Sequence, residues 1–480
     1  MPTNSRRAFM KQAGTVTASV LCPGGLFSAA ALRDAASEPA SGLRAWVTAG
    51  ERHFEETQIE PWRASAGASQ SGIRIDPAQR FQSVLGFGGA FTDASCYLLS
   101  QMNAGDRNKL LAELIGPDGL RMSVGRTCIG ASDYSRNVYS FDDTKEPDPE
   151  LRQFSIAHDE AYILPTLRAA QQMNPEMFLF STPWSPPGWM KAGGSMLGGS
   201  MRNKYFSSYA DYFVKFLQAY AAAGVKISAV TSQNEVDTDQ DGRMPAALWG
   251  QEYEIGFIKG FLGPAFEKAS LDTKIWILDH NYNLWGRAMD ELSDPDVFKY
   301  VDGVAWHGYM GDATAMSRVH NAYPTKHTYW TEGGPDISDP SYMTDCAKWA
   351  CTFASLLKNW ARCIVSWNLV LDETGSPNIG PFHCGGVVTM NSKTGELTRS
   401  GQYWAFAHYS KAIRRGAQVI ASTGEFPGVE HVALLNPDGS HVLIVGNQGE
   451  ERQITCQFAG KALDLKLPQN GTLTLRWNEV

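Results

Sequence analysis

Two glutamates stand where a covalent bond could be cut. Glu235 closes the run Thr-Ser-Gln-Asn-Glu (231–235), and Glu332 sits within Tyr-Trp-Thr-Glu-Gly-Gly (329–334). Each ends an apolar, strand-like segment, where a carboxylate stands at the rim of a sheet. Two carboxylates facing each other across a glycosidic bond are the equipment that cleaves it. They are 97 residues apart in the chain, and a (β/α)8 barrel of about 250 residues spends roughly 31 on each unit. The pair therefore falls three units apart, nearly opposite across a barrel mouth. A single glutamate after a strand is most often an ordinary surface carboxylate; it is the surroundings of these two that point to chemistry.

The elements needed to position them are legible. Eight strand candidates follow one another at 84–88, 121–128, 176–184, 227–235, 274–281, 302–309, 327–334 and 363–370. Between most of them lie apolar residues at helical spacing, such as Tyr209, Tyr212, Phe213, Phe216, Leu217 and Tyr220, the buried stripe of an amphipathic helix. Strand alternating with helix predicts parallel βα units, and β-branched or aromatic runs suit strands covered on both faces. The fold class expected is α/β, a (β/α)8 barrel. The strand ends carry Arg126 and Asp133 (second), Trp184 (third), Asn234 and Glu235 (fourth), Asp279 and His280 (fifth), His307 and Tyr309 (sixth), Glu332 (seventh), and Trp367 with Asn368 (eighth). Barrel enzymes assemble their sites at that face from several strand ends at once.

These residues carry a resemblance. Gly86-Phe-Gly-Gly-Ala-Phe-Thr-Asp, Pro183-Trp-Ser-Pro-Pro-Gly-Trp-Met-Lys, Asn234-Glu235, Trp330-Thr-Glu332, Trp367-Asn-Leu and Leu435-Asn-Pro-Asp-Gly-Ser are similar to segments of glycoside hydrolase family thirty, from about residue 45 to the C-terminus. The resemblance implies Glu235 as general acid/base and Glu332 as nucleophile of a retaining mechanism, with carboxyl groups about 5–5.5 Å apart. It implies that Asn234 holds the sugar 2-hydroxyl and that Asp133 holds hydroxyls remote from the cleaved bond. Trp184 and Trp367 offer indole N–H groups and apolar faces to a pyranose. Arg126, His307 and Tyr309 resemble groups that orient the nucleophile, and are counted with the sugar-binding set. Burial and nearby negative charge are expected to keep Glu235 neutral, and donors around Glu332 to keep it ionised.

The chain departs from the lysosomal members of that family at Gly308, where they have Trp, and in the loop Pro381-Phe-His-Cys-Gly-Gly. The reaction type therefore transfers better than the leaving group. The expected activity is hydrolysis of β-D-glucosidic bonds by an exo-acting, glucosylceramidase-like enzyme, on a β-glucoside or a glucosylated lipid or oligosaccharide. An endo-β-1,6-glucanase or a β-xylosidase of the same family is the alternative, and a catalytically inactive carbohydrate-binding protein the reading from another class.

Composition bounds the rest. At 480 residues and 43 % hydrophobic content there is chain enough for a barrel and a smaller domain. A net charge of −8, with no basic cluster past the N-terminus, argues against a nucleic-acid partner. The ten histidines form no H-E-x-x-H and the cysteines no C-x-x-C, so no metal or cofactor is expected. Ser5-Arg6-Arg7-Ala8-Phe9-Met10-Lys11, ahead of a mildly apolar stretch to residue 31, resembles a twin-arginine export leader too polar to span a membrane. It predicts a periplasmic or secreted protein. Removing residues 1–31 leaves seven cysteines, an odd number, most of them expected as small buried apolar residues. Residues 32–44 read as a linker. Residues 45–78 and 412–480, strand-like with turns at Asn436-Pro-Asp-Gly and Asn470-Gly, predict a β-sandwich built from one N-terminal strand and several C-terminal ones. Residues 79–411 are left for the barrel.

Overall fold

Short β-rich segments at regular intervals close on themselves in this chain. The computed structural model describes residues 42–65 and 72–478; the expected leader, and the expected linker up to residue 41, lie outside them. Eight parallel strands, Gly86–Ala90, Val124–Cys128, Phe178–Thr182, Ala229–Thr231, Lys274–Asn281, Val301–His307, His327–Glu332 and Ala361–Ser366, form a closed barrel in chain order. The eighth pairs with the first through Cys363–Gly86 and Ser366–Gly89. A glycine is required at Gly88, where a Cβ would fall 1.6 Å from the carbonyl oxygen of Val124 on the neighbouring strand.

The lower barrel interior is filled by Val124, Phe180, Ala229, Trp276, Ala305, Tyr329, Cys363 and Val365. Trp276 and Tyr329 stack with centroids 3.9 Å apart, and both reach Asp302 with their polar ends, at 3.2 and 2.8 Å. This plug forms a rigid floor under the mouth. Outside, helices cover the strands; Phe206–Ala222 buries Tyr209, Tyr212, Phe213, Phe216, Leu217 and Tyr220, the stripe its spacing predicts.

The second layer system is a ten-strand sheet with the order 52–57, 44–49, 471–477, 441–447, 429–435, 418–423, 73–83, 452–458, 461–467, 63–64. It folds over its own core of Ala45, Val47, Ile75, Leu443, Val445, Leu463, Leu465, Leu475 and Trp477 among others, as a β-sandwich made from both chain ends. Four N-terminal strands join it among the described residues, where the sequence predicts one. Arg52–Thr57 is an edge strand with no buried residue, and Arg63–Ala64 is two residues long, so neither carries an apolar alternation to read. The strand Ile73–Ser83 pairs as far as Ser83 with Gln418 and draws into the sandwich residues that the sequence assigns to the barrel from 79. The seven cysteines in the described residues are all unpaired, and all but Cys384 are buried. No helix among them is long and apolar enough to cross a membrane.

The two domains are joined by a polar pin. His408, on the last helix of the barrel (Gly401–Ser410), is buried between Thr474 Oγ1 at Nδ1 and Thr48 Oγ1 at Nε2, both at 2.8 Å. Burial without a counter-charge pushes its pKa down to about 3. The unfolded chain takes up this proton below about pH 6.5, while the folded one refuses it until about pH 3. Stability is thus fully present above pH 6.5 and falls with acidification by about 1.4 kcal/mol per pH unit between those values. His408→Gln, neutral throughout, is expected to flatten this dependence in denaturant titrations between about pH 6.5 and pH 4. A constant stability difference between the two proteins over that range would refute the assignment.

Candidate active site

Strand alternation alone would turn neighbouring side chains to opposite faces, and the mouth of this barrel breaks that rule twice. Between the fifth and sixth strands the register runs Leu278–Ala305 and then His280–Trp306, leaving Asp279 as an extra residue. Leu278 and Asp279 both adopt positive φ, 70° and 44°. Between the sixth and seventh strands Trp306 pairs with Trp330 and His307 with Glu332, leaving Thr331 extra. Such bulges re-aim side chains and are frequent beside active sites. Their effect here is that Asp279 and His280, and likewise Thr331 and Glu332, serve one site together. Glu235 also sits at positive φ (49°), its amide donating to the carbonyl of Asp279 at 3.1 Å. The left-handed conformation of a non-glycine residue is strained and turns this carboxylate toward the fifth strand.

Asp279 is the hub of the buried layer. Its Oδ2 accepts from Arg126 Nη2 at 2.8 Å and lies 3.0 and 2.8 Å from the hydroxyls of Thr182 and Thr231. Its Oδ1 lies 3.0 Å from His307 Nε2 and accepts from Thr331 Oγ1 at 2.6 Å. Burial alone would raise this carboxyl's pKa, yet the Arg126 charge and the His307 contact hold it well below the usual carboxylate range. Arg126, wholly buried, also donates through Nη1 to Glu332 Oε2 and through Nη2 to Asn234 Oδ1 at 2.9 Å. An arginine only donates, so this contact fixes the Asn234 amide with its oxygen inward and its NH2 toward the cavity. The guanidinium lies 4.7 Å from the Trp184 ring centre and 5.3 Å from that of Trp367, and these two indoles stack at 4.9 Å.

The two glutamates are held differently. Glu332 accepts from Arg126 and from Tyr309 Oη at 2.9 Å. Glu235 Oε1 lies 3.3 Å from His307 Nδ1 and 3.5 Å from His280 Nδ1, while its Oε2 accepts from Gln240 Nε2 at 2.9 Å. Burial raises the Glu235 pKa, but the His307 hydrogen bond and the two imidazole charges outweigh it and leave it lowered. This reverses the expectation that burial and negative charge keep Glu235 neutral. Burial lowers the His307 pKa, yet Glu332, Asp279 and Glu235 around it raise it to about 9, so the proton of this group rests on the imidazole. His307 Nε2 also lies 3.7 Å from Glu332; one ring thus touches both glutamates. Asp133, buried, has its pKa raised by desolvation and by the charges of Glu332 and Glu235, and its Oδ1 has no hydrogen-bond partner among the described residues.

All this borders a cavity of about 540 Å³, within the range of about 300–1,000 Å³ usual for ligand pockets. Of the residues singled out from sequence, Asp133, Trp184, Asn234, Glu235, Tyr309, Glu332 and Trp367 line it. Arg126 and His307, counted there with the sugar-binding set, are instead fully buried behind the carboxylates they touch. His280 lines the cavity, and Asp279 lies beneath it. Sequence reasoning missed Asp237, whose Oδ1 is 2.5 Å from His280 Nε2, and Gln240. It also missed the threonines 182, 231 and 331. Thr182 and Thr231 end the third and fourth observed strands and Thr331 is next to last in the seventh, but all three lie inside longer predicted strands, so their position gave no signal. Gly308 leaves its space to Trp330, whose ring lies 2.7 Å from where a Cβ would stand.

Two family models match the chain, one described as the glycosyl hydrolase family 30 TIM-barrel domain over residues 84–413, the other as the family 30 beta sandwich domain over 416–475. The chain is 33 % identical over 406 residues to an endo-1,6-beta-D-glucanase of Neurospora crassa, covering 79 % of this chain and 82 % of that one. It is 30 % identical to the lysosomal acid glucosylceramidase of Mus musculus, covering 79 % and 78 %. Among solved structures, an endo-beta1,6-glucanase superimposes with a TM-score of 0.82 at 30 % identity, over 91 % of this chain and all of that one.

The hub makes a stability prediction. Asp279→Asn leaves the Arg126 and His307 charges buried with one counter-ion fewer, and removing one member of a buried ion pair costs about 3–5 kcal/mol. Urea denaturation at neutral pH is expected to show a loss of that size; a change below about 1 kcal/mol would mean that Arg126 is held by Glu332 alone.

Proposed function

The chain belongs to glycosyl hydrolase family 30, and on that premise we propose that it is a retaining endo-β-1,6-glucanase. Glu332 is the nucleophile: its carboxylate attacks the anomeric carbon, the glycosidic C–O bond breaks, and the departing oxygen takes a proton from Glu235. Glu235 then removes a proton from water, whose oxygen displaces Glu332 from the same carbon, so configuration is retained. Glu332 is suited to this by Arg126 and Tyr309, which donate to its oxygens and aim them. The proton Glu235 must deliver is supplied from His307 across 3.3 Å, leaving Glu235 a base for the second step. The Asn234 NH2 group is placed to bind the sugar 2-hydroxyl, and Asp133 with the Trp184–Trp367 stack the far side of the ring.

The observation that carries the substrate reading is the cavity wall around Glu235, where the leaving group must lie. Asp237, Thr238, Gln240 and Asn283 line it, polar groups matched to the hydroxyls of a further sugar. The endo-1,6-beta-glucanases among the relatives, from Neurospora crassa and Trichoderma harzianum among others, support the same choice. The exo-acting glucosylceramidase expected from sequence is the second reading, favoured by the exposed Met310 and Phe382 at the mouth, which suit an alkyl chain. Purified protein incubated with linear β-1,6-glucan is expected to release a mixture of oligosaccharides from the first minutes, and little glucose from glucosylceramide. Glucose as the sole early product, or preferential release of ceramide, would overturn the reading.

The roles of the two glutamates have a separate test. Glu332→Gly with azide and an activated β-glucoside is expected to give the α-glucosyl azide, since a single displacement inverts. Glu235→Gly still forms the covalent intermediate from good leaving groups, and azide then gives the β-product. The same anomer from both variants, or the reverse pairing, would sink the assignment.

A further inference from the structure

The ends of the fourth, fifth and sixth strands bring together three atoms of metal-ligating type. Glu235 Oε1 is 3.3 Å from His307 Nδ1 and 3.5 Å from His280 Nδ1, and all three lie within 4.8 Å of one another. Two ligands of a tetrahedral ion with bonds of about 2.0–2.2 Å are roughly 3.4 Å apart. Two edges of the triangle already have that length, and the third, between the imidazoles, closes if the rings approach by roughly 1 Å.

The outer contacts are those of a ligating pair. His280 Nε2 is 2.5 Å from Asp237 Oδ1, and His307 Nε2 is 3.0 Å from Asp279 Oδ1. A carboxylate on the far nitrogen fixes the tautomer of an imidazole, turns its other lone pair outward, and raises its basicity as a ligand. Both Nδ1 atoms then face one carboxylate oxygen; the proton on His307 serves only one of them, and a metal ion would take that proton's place. A proton on one ring leaves the other unserved: His280 Nδ1 is buried and has no hydrogen-bond partner among the described residues. A divalent ion serves all three atoms at once.

We propose that Glu235, His280 and His307 form a binding site for a divalent transition-metal ion of the zinc type, open to the cavity at its remaining position. Two imidazoles and one carboxylate suit zinc or cobalt better than magnesium or calcium, which require oxygen ligands. The ion occupies the oxygen of Glu235 that faces both rings, so binding and glycoside hydrolysis exclude each other. No sequence motif announces the site, because its ligands are 45 and 27 residues apart (280 minus 235, 307 minus 280) and come from three separate strands.

The test is titration of the metal-free full chain with cobalt(II), read by its visible ligand-field bands, and equilibrium dialysis against zinc(II), with aryl β-glucoside hydrolysis measured in parallel. One ion per chain is expected, with tetrahedral or five-coordinate cobalt bands. Asp237→Asn, which leaves all three ligands in place, is expected to weaken binding about 10- to 100-fold, and His280→Asn at least as much. Asp237 is at the rim, and its variant keeps the test open if His280→Asn does not fold. Cys384, a thiol lining the same cavity, is the competing ligand, and Cys384→Ser is expected to leave binding unchanged. Absence of stoichiometric binding, binding untouched by Asp237→Asn, or binding lost with Cys384→Ser would each overturn the site. The site shares Glu235 with the proposed mechanism but is read separately: protein that binds cobalt yet hydrolyses nothing when metal-free refutes the hydrolase reading alone, and metal-free protein that hydrolyses but then takes up no metal refutes the site alone.

Discussion

The buried contact between Arg126 and Asp279 is the interaction on which the mouth of this barrel depends. Two charges withdrawn from water cost several kcal/mol each, and their attraction recovers this only when the remaining donors and acceptors are also matched. The matching is nearly complete on Asp279, which has Arg126, His307 and three threonine hydroxyls around it. Arg126 in turn reaches Glu332 and Asn234. One ion pair thus fixes the ends of the second, fourth, fifth and seventh strands against each other. The side chains exposed to the cavity inherit their orientation from it.

That network explains why the two glutamates, chemically identical, meet different environments. Glu332 faces a guanidinium and a phenol, donors that point its oxygens. Glu235 faces two imidazoles and an amide, groups that exchange protons with a carboxylate or cap it, the neighbours that the proposed acid/base role requires. The asymmetry originates in the bulges at Asp279 and Thr331. Without the first, Asp279 and His280 would point to opposite faces of their strand, and the hub and the partner of Glu235 could not coexist.

Rigidity comes from below and beside the site. The stacked Trp276 and Tyr329, tied through Asp302, belong to the buried cluster that fills the barrel interior. The sandwich is fastened to the barrel's last helix by a histidine that accepts no second proton until the solution is strongly acid. The barrel is therefore braced by a domain that supplies none of the residues lining the cavity.

Much of this was legible in the chain. Short β-branched and aromatic runs gave eight strands because both of their faces are buried, and period-3.6 patterns gave the helices because burial on one face leaves a periodic trace. The glutamates, Asn234, Asp133 and the two tryptophans stood out because strand ends are where a barrel exposes polar and aromatic groups. The edge strand Arg52–Thr57 left no trace, since an exposed strand has no buried face to encode. The threonine cage, the contact of Asp237 with His280 and the rank of Asp279 above its neighbours were decided only by the tertiary structure. They depend on bulges that shift register by one residue, and a one-residue shift alters which side chains meet without altering the composition or the period of any strand. The sequence determined which chemistry the mouth of the barrel could hold. Which nitrogen, hydroxyl or charge stands against each glutamate, and hence where its proton rests, was settled by residues far apart in the chain meeting at fixed distances where water is excluded.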